Sequence, residues 1–294
     1  MMIENSPSDT NQIIRQATPN IYDQLARFLN QPIQLHRHLD WFATLDWLGY
    51  QPYLVEMMGN TIQAVLCAVP ENDEAAWVRT FGAQKSLDIQ AAWIRLLSRA
   101  IESLTELGID RLAALAIHSW FEALLVDSGF QNRQNIIVLE WQEKFPPKDN
   151  WNAEIEIRPM HLKDLEDVKR IDRLAFPSLW QNSLAGLTKA FQQPGISTVA
   201  TRNDEIVGYQ ISTTMTIYGH LARLAIHPSH QRQGIAFMLV YDLLQQFTRR
   251  GFWRVTVNTQ SDNSPSLKLY KKFGFERTRE EIPVYEFTIY DIAA

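Results

Sequence analysis

The strongest constraint on this chain is that it repeats itself. Over 294 residues, Arg15 and Arg158 lie 143 apart, Asn60 and Asp204 lie 144 apart, and Gly108 and Gly251 lie 143 apart. Gly129-Phe130 and Gly274-Phe275 lie 145 apart. Chance pairings of glycines are easy, but four landmarks in one register with one element order are not. The sequence therefore predicts a tandem duplication of one α/β unit, and the length suits two ordinary domains. The expected division is a disordered tail at 1–11, a first lobe at 12–143, a linker at 144–154 stiffened by Pro146-Pro147, and a second lobe at 155–294.

Within the first half, a strand is expected at 13–15 and a helix from Thr18 as N-cap and Pro19 to about Leu29. A second helix is expected over 39–48. Strands at 53–57 and 61–69 flank Gly59-Asn60, a hairpin signal, and another strand covers 75–81. A helix over 89–107 opens on Asp88 and closes on Gly108. A strand at 111–117, a helix at 119–127 and a strand at 135–141 complete the half. The second half follows the same order, with helices at 162–176 and 184–191, then strands at 196–201 and 206–218 around Asn203-Asp204.

The halves differ most at 221–251, LARLAIHPSHQRQGIAFMLVYDLLQQFTRRG. Its first six residues are a short apolar run, as in a buried strand. A polar turn follows, and from Ile235 the apolar positions Ile235, Leu239, Leu243 and Phe247 recur at helical spacing up to Gly251. A strand, a tight turn and a helix bring free backbone N–H groups and the positive end of a helix to one point, which suits a phosphate. Gly234 allows close backbone approach, and Ala236 is nearly as small. The stretch has no Gly-Lys-Ser/Thr and no G-x-G-x-x-G, so it is neither a nucleoside-triphosphate loop nor a dinucleotide fingerprint.

What remains, Gln231-x-x-Gly234-x-Ala236, resembles the Q/R-x-x-G-x-G/A signature of the GNAT superfamily of N-acetyltransferases. The likeness continues in order through a strand at 252–258, Asn263, a helical segment, Tyr270 and Phe273-Gly274-Phe275, and covers about 155–288. It implies an α/β fold of mixed, mostly antiparallel twisted sheets flanked by helices, in two tandem GNAT-like lobes. It implies acetyl-CoA as co-substrate, no metal, and acetyl transfer to a primary amine of a small molecule, a peptide N-terminus or a lysine. The alternative is a coenzyme A-binding sensor or interaction protein with little turnover.

The resemblance assigns residues. The N–H groups of Gln231, Arg232, Gln233, Gly234, Ile235 and Ala236 would bind the pyrophosphate. Leu224, Ala225 and Ile226 would pair with the pantetheine amides as an added strand does, with Asn258 on the splayed neighbour and Asn263 also at the cofactor. Tyr270 is the expected general acid, unless it is simply core. The base is open between His220, His227 and a water relay, because Asn258 stands where some relatives carry a glutamate. Trp180 is either a substrate wall or packing. Glu281 and Tyr285 are expected beside the acceptor, which would bind between the lobes. In the first half, 82–88 lacks the loop motif and Asp88 stands where a pyrophosphate would sit, so that lobe reads as degenerate.

Composition agrees. The apolar share of 46% supports a packed core, and the net charge of −5 argues against nucleic acid while suiting a cationic amine. No apolar run reaches membrane-spanning length. The N-terminus has no apolar h-region, and the single cysteine, Cys67, fits a reducing compartment as an inert core residue. A cytoplasmic location is expected, with no membrane partner. The oligomeric state stays open.

Overall fold

The computed structural model describes residues 12–147, 151–215 and 218–289; the expected tail at 1–11 lies outside them. The chain divides into two compact units, one up to Arg133 together with the residues from Val284 onward, the other Gln134–Pro283.

The first unit contains β1 (Gln12–Gln16), α1 (Tyr22–Leu29), β2 (Gln34–Arg37), β3 (Tyr53–Met58), β4 (Thr61–Cys67), β5 (Ala75–Trp77), β6 (Thr80–Ala83), α2 (Ile89–Glu106), β7 (Arg111–Leu115) and α3 (Ser119–Asp127). A strand β8 (Gln131–Trp141) then leads into the second unit. That unit contains β9 (Glu156–Pro159), α4 (Leu165–Ala175), α5 (Leu184–Phe191), β10 (Gly195–Arg202), β11 (Glu205–Thr214), β12 (Tyr218–Ile226), α6 (Ile235–Arg249), β13 (Arg254–Gln260), α7 (Ser264–Lys272) and the greater part of β14 (Phe275–Thr288).

The spacing seen in the sequence recurs in the strand registers. Ala75 pairs in parallel with Arg111 in the first unit, and Tyr218 with Arg254 in the second. Ala64 lies opposite Ala83, and Gly208 opposite Ile226. A register shift falls at Glu56/Met57 in the first unit and at Ala200/Thr201 in the second. The last strands depart from the sequence order of the halves. β8 supplies Ile136–Glu140 to pair with β13 of the second unit, and β14 supplies Val284–Thr288 to pair with β7 of the first.

In the second unit the order is β9-β10-β11-β12-β13-β8, antiparallel except for β12 and β13. α6 packs on it with Leu239, Leu243 and Phe247 buried, and Trp141 and Phe273 join the same apolar layer. The expected stripe at Ile235, Leu239, Leu243 and Phe247 is thus the inward face of this helix.

Three expectations fail in whole or in part, each for a local reason. The helix expected over 39–48 is only a 3₁₀ turn at Thr44–Trp47. Asp40 accepts from the Phe42 N–H and Asp46 from the Ala43 N–H, so aspartates take up amides that a helix would need. Thr18 is the N-cap with Pro19 first, as expected, but it heads a 3₁₀ turn at Pro19–Ile21 and its side chain makes no capping bond, its hydroxyl being bonded to the Asn20 side chain. The strand expected over 75–81 is broken in two. The Val78 N–H still bonds Ala113 beside β7, whereas the Arg79 N–H has turned to Cys67 on β4.

Cys67 is fully buried, as expected of an inert core thiol. No helix of the described residues is long and apolar enough to cross a membrane.

Candidate functional site

The site begins where two strands part. β12 and β13 run together as far as Leu221 and Val257. Beyond that point β13 continues to Gln260 against β8, and β12 continues to Ile226 against β11 alone, with Leu224 opposite Gln210. One edge of Leu224–Ile226 therefore has no strand on it among the described residues, and its backbone groups form a template for an extended ligand.

The chain leaves β12 through a 3₁₀ turn at Pro228–His230 and enters α6 through a loop in which Arg232 (φ 62°) and Gly234 (φ 81°) are left-handed. Gly234 is the N-cap and has no side chain to satisfy the first turn of α6. Those N–H groups are orphans of the helix and carry the positive end of its dipole.

Strand edge and helix terminus face one cleft of about 1100 Å³. Leu224, Ala225, Ile226, Gln231, Arg232, Gln233, Gly234, Ile235, Ala236 and Asn263 line it, which is every residue expected at the cofactor except Asn258. Lys268 and Lys272 of α7 add positive charge with Arg232. Asn263 is held by its own helix, its side-chain oxygen accepting from the Ser266 N–H at 3.2 Å. Trp180 also lines the cleft, with Phe176 and Pro177, and its indole N–H donates to Gln134 at 3.1 Å.

The other expected residues stand elsewhere. Asn258 lies on β13 opposite Val138. Tyr270, on α7 next to the lining residue Leu269, is 4% exposed and packs against Phe275. Burial pushes its phenol above its ordinary range. His220 lies where β12 and β13 are still paired, its Nδ1 2.8 Å from the Thr256 hydroxyl. Burial lowers its pKa to about 4, so it is neutral at pH 7 and a weak base. Glu281 is ion-paired with Arg277 at 2.6 Å and accepts from Asn135 at 2.6 Å. Tyr285 belongs to the first unit, where it joins the apolar core and donates to Glu122 at 2.9 Å.

The His220 environment has a measurable consequence. Unfolded, its imidazole takes a proton near 6.5; folded, only near 4. Between those values the unfolded chain binds more protons, so stability falls as pH drops from 6.5 toward 4. Chemical denaturation across that window should show His220→Gln losing less stability than the parent, by up to about 3 kcal/mol. Equal acid sensitivity would refute the assignment.

Two features at or behind the cleft have no expectation in the sequence. His230 lines the cleft, its Nδ1 buried and without a hydrogen-bond partner among the described residues. Arg223 and Asp172 form a buried ion pair behind the Trp180 wall. Their signal was present: Asp172 sits at i+4 from Val168, on the apolar stripe of α4, and Arg223 interrupts the apolar run of β12.

The first unit shows what a closed version of this site looks like. By the 143-residue spacing, Thr80–Ala83 of β6 corresponds to 223–226 of β12. There the outer edge is taken by β2, with Gln34 opposite Ala83 and Arg37 opposite Thr80. α2 is capped by Asp88, whose carboxylate accepts from the N–H groups of Gln90 and Ala91, both at 3.1 Å.

A mixed sheet with a splayed parallel pair, an open strand edge and an uncapped helix at its end is the architecture of an acetyltransferase-type α/β fold. Residues 165–275, within the second unit, match the family model described as Acetyltransferase (GNAT) family. Among curated relatives, the chain is 32% identical over 91 residues to N-alpha-acetyltransferase 30 of Schizosaccharomyces pombe, covering 29% of this chain and 61% of that protein. It is 31% identical over 77 residues to the [Ribosomal protein bS18]-alanine N-acetyltransferase of Haemophilus ducreyi, covering 26% of this chain and 53% of that protein. The chain thus spans little more than half the length of either of these two relatives. A tandem GNAT protein from the clavulanic acid biosynthesis pathway shares the fold, with a TM-score of 0.64 at 13% identity over 95% of this chain and 99% of that one.

Proposed function

We propose that the chain is an acetyl-CoA-dependent N-acetyltransferase whose second unit moves an acetyl group to a primary amine. The observation that carries this reading is one cleft holding both the free edge of Leu224–Ile226 and the uncapped N-terminus of α6. A pantetheine chain needs amide partners along its length, and a pyrophosphate needs N–H donors and positive charge. The two requirements meet at Gly234. When bound, acetyl-CoA supplies the activated acetyl group.

The N–H groups of the 231–236 loop would hold the pyrophosphate, helped by Arg232. The edge of β12 would fix the pantetheine arm, and an N–H near Leu224 or Ala225 would polarise the carbonyl to be attacked. Tyr270, beside the lining residue Leu269, would hydrogen-bond the departing sulfur and so stabilise it as a leaving group. An ordinary amine costs about 4 kcal/mol to deprotonate at pH 7, and we assign that proton to water in the open cleft. The first unit, with its strand edge filled and its helix capped, would serve a structural role.

The acceptor is a primary amine next to Trp180 and Gln134. The names of the two relatives favour a peptide N-terminus within that class. The test is acetyl-CoA consumption screened over small amines, lysine peptides and peptides with free N-termini. Turnover is expected with one class, and Trp180→Ala should raise the KM of that acceptor more than the KM of acetyl-CoA. If the two rise together, the acceptor binds away from Trp180; if no amine is acetylated, the enzymatic reading fails.

A further inference from the structure

The cofactor reading leaves the Asp172–Arg223 pair without a task. Asp172 is fully buried and the Arg223 side chain is 13% exposed. Asp172 Oδ2 accepts from Arg223 Nε at 2.7 Å and from the Tyr209 hydroxyl, and lies 2.6 Å from Arg223 Nη2. Its Oδ1 accepts from the Asn182 N–H at 2.8 Å. Arg223 Nη2 also donates to the Trp180 carbonyl at 2.6 Å, and its guanidinium carbon lies 3.6 Å from the Phe176 ring centre. The pair therefore grips the 176–182 loop at Phe176, Trp180 and Asn182, and two of these line the cleft.

Packing alone does not call for charge here. Apolar residues of similar volume often hold a buried position as well as an ion pair, without the desolvation. What the pair adds is direction. The guanidinium is a rigid planar fork, and a carboxylate that fixes its Nε leaves the Nη2 N–H aimed at the Trp180 carbonyl. Arg223 is also the residue just before the open edge that starts at Leu224. It ties the loop that carries Trp180 to the strand that would carry the acetyl donor.

We propose that Arg223, held by Asp172, is a positioning residue that sets the 176–182 loop against the β12 edge and so governs acceptor binding without touching the donor. This rests on the acetyltransferase reading of the second unit. A merely structural pair would affect stability or both substrates alike; a positioning pair separates them.

The experiment compares the parent with Arg223→Met and with the double variant Asp172→Asn/Arg223→Met. The double variant leaves no uncompensated buried charge and keeps the test valid if the single one does not fold. Amide hydrogen exchange at 178–182 should speed up at least about tenfold in both variants, with that of 224–226 unchanged. With a short peptide bearing a free N-terminal alanine as probe acceptor, acceptor KM should rise about 10- to 100-fold, with the KM of acetyl-CoA unchanged. Unchanged loop exchange in the folded double variant overturns the proposal, as does an equal rise in both KM values. Parent protein that binds no coenzyme A by calorimetry overturns the acetyltransferase reading instead, and the exchange measurement then decides the loop tether by itself.

Discussion

Titration calorimetry should find one coenzyme A per chain, bound in the second unit. Both units carry a strand that runs toward a helix, but only one leaves the strand edge and the helix terminus open. In the first unit β2 lies along Thr80–Ala83, where a pantetheine arm would have to lie. The carboxylate of Asp88 already takes the Gln90 and Ala91 N–H groups, and it would repel a pyrophosphate. In the second unit Leu224–Ile226 is open on one side and Gly234 cannot cap. Gly234→Glu should remove binding, with at least about a hundredfold loss of affinity and an unchanged circular dichroism spectrum. The glutamate strains a left-handed position by about 1–2 kcal/mol and sets a negative charge against the phosphates. Two equivalent sites, or a Gly234→Glu protein that binds normally, would overturn the assignment.

The second large effect is expected at Tyr270. Tyr270→Phe should lower turnover by about 10²–10⁴-fold, the usual worth of general acid catalysis, and leave coenzyme A affinity nearly unchanged. The phenol sits among apolar groups, and burial pushes its pKa above the ordinary value near 10. It therefore keeps its proton at any ordinary assay pH and acts chiefly as a hydrogen-bond donor. Between about pH 6 and pH 9 the rate profile of the variant should keep its shape and lose only height. A turnover number equal to that of the parent, measured where chemistry limits the rate, would leave Tyr270 as core.

What could be read in the sequence was what depends on neighbours along the chain. The 231–236 loop, the stripe of α6 and the cap at Asp88 all rest on local chemistry. What could not be read depends on distant partners. β2 forms because β6 offers it an edge some forty-five residues away, and nothing in Gln34–Arg37 itself alternates as a strand should. The break at Val78 and Arg79 follows from a change of hydrogen-bond partner. Asp172 and Arg223 are fifty-one positions apart, and each by itself looks like a misplaced charge. Glu281, expected beside the acceptor, is held by Arg277 and Asn135, and neither partner has a signature of its own in the sequence.

The crossed ends of the repeats govern how such a chain can be made. The strand that β7 needs lies at Val284–Thr288, a full repeat further on, and the strand that β13 needs is laid down at Ile136–Glu140, before the rest of its sheet exists. During synthesis β7 stays unpaired on that side until the residues up to Thr288 have left the ribosome. Contacts this far apart in sequence form slowly, and an unpaired edge is an invitation to aggregation. The two halves share a spacing of landmarks but are not independent in folding: cutting between them should give two incomplete sheets rather than two small proteins.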